Sequence, residues 1–216
     1  MFDDPLLIVV GMALLGLVPF LAVMATTFVK ISVVMMLIRN AMGIQQIPPN
    51  MTMHGLGLIL SIYIMAPIGI QAFERVEQQN IDISSLDTRG LLATLGDAVE
   101  PYRAFLNKHA SAQEKAFFVS TARELWPKEF ADTVTADSLL VLIPAFTISE
   151  LTSAFEVGFL LYLPFIVIDL IISNILLAMG MMMVSPMTIS LPFKLLLFVL
   201  LDGWTRLIHG LVLTYQ

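Results

Sequence analysis

Acidic side chains interrupt apolar sequence in the C-terminal part of the chain, where an ionised carboxylate is costly. Asp169 stands in the run Phe-Ile-Val-Ile-Asp-Leu-Ile-Ile, and without a partner it would cost several kcal/mol or take up a proton. Lys30 and Lys194 are the basic residues that we expect to pair with it. Glu156 needs a basic group or a backbone donor on a neighbouring helix. Carboxylates inside apolar segments are functional hypotheses, either as proton relays or as contacts between helices.

Three further charged residues have a structural interpretation as well as a functional one. Thr147-Ile-Ser-Glu150 has the spacing of a capping box, so Glu150 either starts a helix or contributes to a pore or an interface. Asp202 and Arg206 are four residues apart, which is the spacing of an ion pair within one helix. The candidate polar contacts between helices or subunits are Lys30, Glu150, Glu156, Asp169, Lys194, Asp202 and Arg206.

Methionines are concentrated in residues 178–186, Ala-Met-Gly-Met-Met-Met-Val-Ser-Pro. Consecutive methionines cover every face of a helix, so one-sided packing does not account for them. Methionine has three flexible torsions and a polarisable sulfur, and it fills irregular gaps. Gly180 permits unusual backbone geometry, and we expect Pro186 to end a helix. The segment is therefore a deformable seal at a constriction or ordinary packing against lipid or core. The candidate seal consists of Met179, Met181, Met182 and Met183.

Motifs for enzymatic chemistry are absent from the sequence. The histidines His54, His109 and His209 are far apart, and no HExxH, nucleophile elbow, phosphate-binding loop or dinucleotide fingerprint occurs. There is no cysteine. Asp169 and Asp202 are the remaining candidates for paired intramembrane carboxylates. We predict no enzyme, no cofactor and no metal site. The net charge of −6 and a pI of about 4.9 argue against a nucleic-acid partner.

The elements that position these residues are expected to be membrane-associated helices. Apolar residues make up 58% of the 216 residues, charged residues 13%, and the mean hydropathy is +0.89, so too few polar side chains exist to cover a soluble domain. The apolar stretches do not alternate as barrel strands would. Each is long enough for a helix across a hydrocarbon core of about 30 Å. They cover residues 5–38, 53–73, 139–184 and 189–213, and the third is either one very long helix or a broken pair.

Residues 74–138 form a polar insert between the second and third apolar stretches. They contain seven of the 11 basic and eleven of the 17 acidic residues. Ser111-Ala-Gln-Glu114 is a capping box that starts a helix, and Trp126-Pro127 ends it. A second short helix is expected from Asp97 to His109. The fold class is all-α, with kinked apolar helical hairpins and a small helical insert. The predicted division is residues 1–73, 74–138 and 139–216, the last forming a hairpin around the methionine-rich loop.

The distribution of charge suggests an orientation. The acidic start, Met-Phe-Asp-Asp-Pro, lacks the basic region of a secretory signal, so we expect the first apolar stretch to be retained. Lys30 and Arg39 follow that stretch, and Lys194 lies near the connection between the third and fourth. The positive-inside rule places those connections in the cytoplasm and the insert on the periplasmic side. Arg206, near the C-terminus, argues the other way.

Several motifs recognisable from a known family occur in order along the chain. They are Thr27-Phe-Val-Lys30, Arg39-Asn-Ala-Met-Gly43, Pro48-Pro-Asn50, Leu142-Ile-Pro-Ala-Phe-Thr-Ile-Ser-Glu-Leu151, Ala154-Phe-Glu-Val-Gly-Phe159, Leu163-Pro-Phe-Ile-Val-Ile-Asp169, residues 178–186, Leu191-Pro-Phe-Lys194 and Asp202-Gly-Trp204. In these motifs the chain resembles the export-gate protein of type III secretion systems, the SctR family, whose flagellar counterpart is FliP. Gln45-Gln-Ile-Pro-Pro-Asn50 and the acidic N-terminus are more similar to the YscR-type injectisome branch.

The resemblance implies a non-enzymatic, pore-forming subunit of the bacterial inner membrane. Such proteins form a homopentamer that joins SctS-type and SctT-type subunits and other export apparatus proteins. Unfolded substrate protein passes through the centre, driven by a separate ATPase and the proton gradient. The family's methionine gasket maps onto Met179, Met181, Met182 and Met183. The assembled gate is implied to lie largely above the bilayer towards the periplasm, with apolar stretches packed against partner subunits rather than lipid.

A small ion-coupled transporter or channel is the main alternative from another class. In it, Asp169 and Glu156 form a proton relay and the insert is a binding domain. The two functions differ in the size of the purified particle. A gate subunit is expected in a large multi-subunit assembly, and a transporter is expected as a monomer or small oligomer.

Overall fold

The computed structural model describes residues 12, 16, 23–44, 46–78 and 88–216, without the side chains of residues 88–93 and 95. Every regular element in these residues is an α-helix, which confirms the all-α fold class. The predicted helix over the start of the first apolar stretch lies mostly outside the described residues. The helices are α1 Phe28–Ala41, α2 Asn50–Gln78, α3 Thr88–His109, α4 Ala112–Leu125, α5 Lys128–Ala131, α6 Leu139–Ala178, α7 Pro186–Leu200 and α8 Gly203–Leu213.

Two of these helices, α2 and α6, are long and apolar enough to cross a membrane. The third apolar stretch forms one continuous 40-residue helix rather than a broken pair, which makes α6 about 60 Å long. The fourth stretch is broken instead, because α7 and α8 are bent by 60° at Leu201 and Asp202. The described residues therefore contain two possible spans, or three if the bent pair counts as one.

The chain divides into two compact units, Met1–Val29 with Met65–Glu150, and Lys30–Ile64 with Leu151–Gln216. We call them the insert unit and the gate unit. This division follows contacts, whereas the predicted three-part division followed hydropathy and stays a prediction. The two longest helices each contribute residues to both units.

The insert unit has an apolar core between α3 and the start of α6, at Leu106, Ala110, Leu142 and Phe146. The predicted helix start at Ser111 is confirmed, because the Ser111 hydroxyl accepts a hydrogen bond from the Glu114 backbone N–H. The predicted stop before proline is also confirmed, since α4 ends at Leu125. The helix predicted from Asp97 begins earlier, at Thr88.

The Tyr102 hydroxyl connects α3 to the segment that precedes α1. It donates to the Ala25 carbonyl oxygen at 2.7 Å. Burial raises the pKa of Tyr102 to about 12, because the ionised phenolate loses solvation in the interior. Thr147 donates to the neighbouring Met24 carbonyl at 3.0 Å. Polar side chains on α3 and α6 thus satisfy backbone carbonyls that irregular structure leaves without a helical partner.

The gate unit is built around α1, whose inward face repeats at helical spacing: Ile31, Val34, Met35 and Ile38 are all buried. Phe165, Leu207 and Leu211 from α6 and α8 complete this core. A Cβ at Gly158 would overlap the Leu37 side chain, so glycine allows α1 and α6 to approach closely.

The three basic residues behind the predicted orientation do not lie in connections. Lys30 and Arg39 are inside α1 and Lys194 is inside α7. Their exposed fractions are 5%, 7% and 3%. The positive-inside rule counts charges in loops, where they face the cytoplasm. The premise of that prediction is therefore wrong for these residues, because folding buries them.

Candidate functional site

Asp169 is held by two donors from successive turns of α7. Lys194 Nζ lies 2.5 Å from Asp169 Oδ2, and Ser190 Oγ lies 2.5 Å from Asp169 Oδ1. Ser190 and Lys194 are four residues apart, so they share one face of the helix. The pairing uses Lys194, one of the two countercharges expected from the sequence.

Lys194 also joins α1 to this pair. Its ammonium donates to the Ala41 carbonyl oxygen at 3.1 Å, at the last residue of α1. The last carbonyls of a helix lack internal partners and form the negative end of its dipole, so a cation is favourable there. The Lys194 side chain is 4% exposed and the Asp169 side chain is 32% exposed. Lys194 thus connects three helices in the interior.

The methionine loop, residues 179–185, connects α6 to α7 and lies more than two helical turns from Asp169 and Lys194 along each helix. Its side chains face outward in the single chain, with exposed fractions of 66%, 40%, 82% and 99% for Met179, Met181, Met182 and Met183. The segment is not part of the core described for this chain, so packing inside the chain does not account for its composition.

Gly180 and Pro186 define the ends of the methionine loop. The Met181 N–H donates to the Leu176 carbonyl and the Gly180 N–H to the Leu177 carbonyl, which is the Schellman pattern. Gly180 has φ +72°, a conformation that glycine adopts without steric cost. Pro186 begins α7 rather than ending a helix, so that expectation was wrong; proline suits a first helical position because its missing N–H has no partner there.

Lys30 and Glu150 are two further buried charges. Lys30 lies over the Tyr215 ring, with Nζ 4.8 Å from the centroid, a cation–π contact. Glu150 is 3% exposed in the interior of α6. The predicted capping role of Glu150 is wrong, because the helix starts at Leu139 and runs through this position without a break.

Three charged candidates remain at the surface of the gate unit: Glu156, Asp202 and Arg206. The predicted ion pair between Asp202 and Arg206 is wrong, because Asp202 precedes α8 with φ 50° and no ion pair joins the two side chains in the described residues. An apolar cavity of about 370 Å³ opens beside the α7–α8 bend, and Arg206 contributes a charged group to its lining.

The sequence reasoning missed two side chains that organise the gate unit. Ser190 is one of them, and its i, i+4 spacing from Lys194 is the signal that indicates a shared helix face. Arg39 was interpreted as a loop charge, yet its Nη1 donates to the Pro48 carbonyl at 3.1 Å and to Asn50 Oδ1 at 2.6 Å. It thereby ties the end of α1 to the start of α2. No group of three or more potential metal ligands occurs in the described part of the chain.

Comparison with known proteins gives whole-length matches. The FliP family profile covers residues 11–211. The chain is 58% identical over 98% of its length to Yop proteins translocation protein R of Yersinia pestis, covering 97% of that protein. It is 50% identical over 97% of its length to the hypersensitivity response secretion protein HrcR of Ralstonia nicotianae, covering 96% of that protein. It is 46% identical over 99% of its length to the virulence protein YscR of Salmonella typhimurium, covering 98% of that protein.

These matches confirm the resemblance to the SctR and FliP proteins of type III secretion and to their YscR-type branch. They extend over the motifs that surround Asp169, Lys194 and the methionine loop. The chain therefore belongs to the FliP family.

Proposed function

We propose that this chain is a pore-forming core subunit of the type III secretion export gate, which passes unfolded substrate proteins across the bacterial inner membrane. The observation that carries the proposal is the 58% identity over nearly the whole chain to a protein named for translocation. Relatives named for secretion and virulence match over the same length. The role is structural, with no reaction catalysed by the chain itself.

The large exposed apolar surface of the helices supports a protein that is part of an assembly rather than a monomer. Only 11% of the most apolar window of α2, and 11% of that of α6, is buried within the chain. Glu156, Asp202 and Arg206 lie exposed in the otherwise apolar gate unit. Isolated charges are expensive against lipid, so polar groups of other subunits are the natural partners for these three side chains.

We propose that the exposed apolar surface of this chain contacts the other subunits of the gate. Copies of this chain form a homopentamer, SctS-type and SctT-type subunits join it, and other export apparatus proteins dock on the completed gate. At about 60 Å, α6 is twice as long as a hydrocarbon core of about 30 Å. That length supports a gate extending beyond the bilayer on the periplasmic side.

The methionine loop is the proposed seal of the pore. Met182 and Met183 are largely free of contacts within the subunit, so five copies arranged around an axis can supply flexible side chains to one constriction. Flexible thioethers adapt their shape to whatever passes. Such a ring closes around variable unfolded chains and keeps small ions out when it is empty.

The alternative proton relay receives little support from the geometry. Asp169 and Glu156 are 13 residues apart in the continuous helix α6, which separates their Cα atoms by about 20 Å. Direct proton transfer requires hydrogen-bond distance. Asp169 is moreover engaged by Lys194 and Ser190.

The test is the particle mass and conductance of the detergent-solubilised complex, co-expressed with its partner subunits. We expect a large assembly that is closed to ions when empty. Replacing Met181, Met182 and Met183 by Ala is expected to open an ion leak without changing the mass. Replacing them by Leu keeps the volume but lowers flexibility, so export slows while the leak stays small. A monomeric or small oligomeric particle contradicts the gate, and an intact triple-Ala complex without a leak contradicts the seal.

A further inference from the structure

Asp169, Ser190 and Lys194 join α6 to α7 on either side of the methionine loop, and we call these three residues the base of the loop. Asp169 lies before the loop on α6, and Ser190 and Lys194 lie after it on α7. The two hydrogen bonds therefore join the helices on both sides of residues 170–189. The exposed loop side chains make no comparable tertiary contact in the described residues, so the two helical arms determine where the loop stands.

Both ends of the methionine loop are attached directly to the helices. Gly180 and Met181 are bonded to the carbonyls of the last turn of α6, and Pro186 begins α7 immediately after Ser185. Only residues 182–185 therefore separate the helix-bonded Met181 from the start of α7. A change in the spacing of the two helices changes the distance that this short segment spans, and so moves the methionines within it.

Lys194 extends the same arrangement to a third helix. Its bond to the Ala41 carbonyl ties the loop base to the end of α1, where Arg39 binds the turn that leads to α2. The base of the loop is therefore anchored to the core of the gate unit.

We propose that Asp169, Ser190 and Lys194 are positioning residues that hold the methionine loop in its closed place. The inference rests on the proposed function, because it assumes that the loop is the seal. The three residues act through the loop and do not contact the passing substrate. Weakening the base allows the α6 and α7 arms to separate, which moves the methionines away from the axis.

Ser190→Ala in the complete co-expressed complex is the decisive variant, because it removes one donor and changes little volume. Loss of one hydrogen bond to a charged group shifts a closed–open equilibrium by roughly tenfold. We expect the resting potassium conductance in planar bilayers to rise by about that factor. Native mass and the amount of complex should be unchanged. Asp169→Asn keeps the side-chain shape but also removes the countercharge of the buried Lys194, so its leak should be larger than that of Ser190→Ala.

Asn174→Ala is the matched control. Asn174 lies on α6 between Asp169 and the loop, is exposed, and has no side-chain hydrogen bond in the described residues. The Asn174→Ala substitution removes a polar group from α6 without changing Asp169, Ser190 or Lys194, so the complex should stay closed.

The Ser190→Ala and Asp169→Asn double variant should leak less than the product of the single effects, because both act on one contact.

The outcomes separate the two proposals. If the triple-Ala loop variant leaks but Ser190→Ala and Asp169→Asn assemble and remain closed, the seal stands and the positioning role is overturned. Loss of the assembled complex in Ser190→Ala also overturns it, because the hydrogen bond would then be needed for assembly rather than for the position of the loop. If the triple-Ala complex itself remains closed, the proposed seal fails and the positioning role fails with it.

Discussion

The Arg103–Glu100 ion pair of the insert unit is exposed, whereas the Lys194–Asp169 ion pair of the gate unit is largely buried and joins two helices. Arg103 pairs with Glu100, with side-chain exposures of 38% and 46%, and Asn107 bonds Asp137 at the surface. In the gate unit, Lys194 and Arg39 are almost fully buried and each binds two acceptors.

This difference follows from the surroundings rather than from the residue types. Water screens an exposed pair and its measured contribution is small. In a buried pair, removing one partner is costly even where the pair adds little net stability. Lys194 and Arg39 of the gate unit therefore act as joints between helices, whereas Arg103 and Glu100 of the insert unit form a solvated surface pair.

Lys194→Met is expected to have the largest effect. It leaves Asp169 without a cation and the Ala41 carbonyl without its donor. Removing one partner of a buried pair costs about 3–5 kcal/mol, and the partial exposure of Asp169 places this variant near 3 kcal/mol. The thermal midpoint and the yield of the purified complex should both fall. The Asp169→Asn and Lys194→Met double variant should recover part of the loss, and no recovery would show that the two side chains are not coupled.

Arg39→Lys tests whether the buried Arg39 joins the end of α1 to the start of α2. The ammonium retains the positive charge but lacks the planar fork of the guanidinium, so it cannot satisfy the Pro48 carbonyl and Asn50 in the same geometry. We expect a loss of about 1–2 kcal/mol from one hydrogen bond to a charged group. Thermal unfolding of the purified complex measures it, with Arg123→Lys at an exposed position of α4 as the control. Equal effects at the two positions would contradict the joint role of Arg39.

Tyr102→Phe tests the hydrogen bond from the Tyr102 hydroxyl to the Ala25 carbonyl in the insert unit. The pKa of Tyr102 is about 12 in the folded chain and about 10 in an unfolded chain. The folded state therefore retains the proton longer, and its contribution to stability is fully present below pH 10 and lost as the pH rises towards 12. Tyr102→Phe should remove this part of the alkaline decline. Thermal midpoints between pH 8 and 12, compared with the parent, measure it, and parallel curves would contradict it.

Glu100→Gln is expected to have the smallest effect. It breaks an exposed i, i+3 pair with Arg103, and such pairs contribute about 0.5 kcal/mol or less. The thermal midpoint should hardly change, and added salt should abolish any difference. A loss comparable with that of Lys194→Met would contradict the contrast between the two units.

Local signals in the sequence were sufficient for several elements. The Ser111 capping box and the proline after Trp126 correctly predicted both ends of α4, because a cap and a helix stop depend on neighbouring residues. The same capping pattern at Glu150 failed. There the apolar sequence on both sides continues the helix, and the Thr147 and Ser149 hydroxyls bond carbonyls one turn back instead of capping.

The candidate site was predictable in its residue types but not in its arrangement. An aspartate in apolar sequence requires a partner, and this followed from desolvation alone. The choice of Lys194 over Lys30 depends on which of the two lysines the packing of α1 and α7 brings to Asp169. The role of the Ala41 carbonyl had no sequence signal, since every residue has a carbonyl.

The sequence by itself determined the all-α class, the family, the methionine cluster and the need for partners at the isolated charges, because composition, motif order and desolvation act through residue type. Only the tertiary structure decided that α6 is continuous, that Asp202 leaves the helix and that Lys194 joins Asp169 to the end of α1. These depend on distances between residues far apart in the chain, since Asp169 and Lys194 are 25 residues apart and Lys194 and Ala41 are 153 residues apart. Packing sets those distances, and local patterns do not contain them.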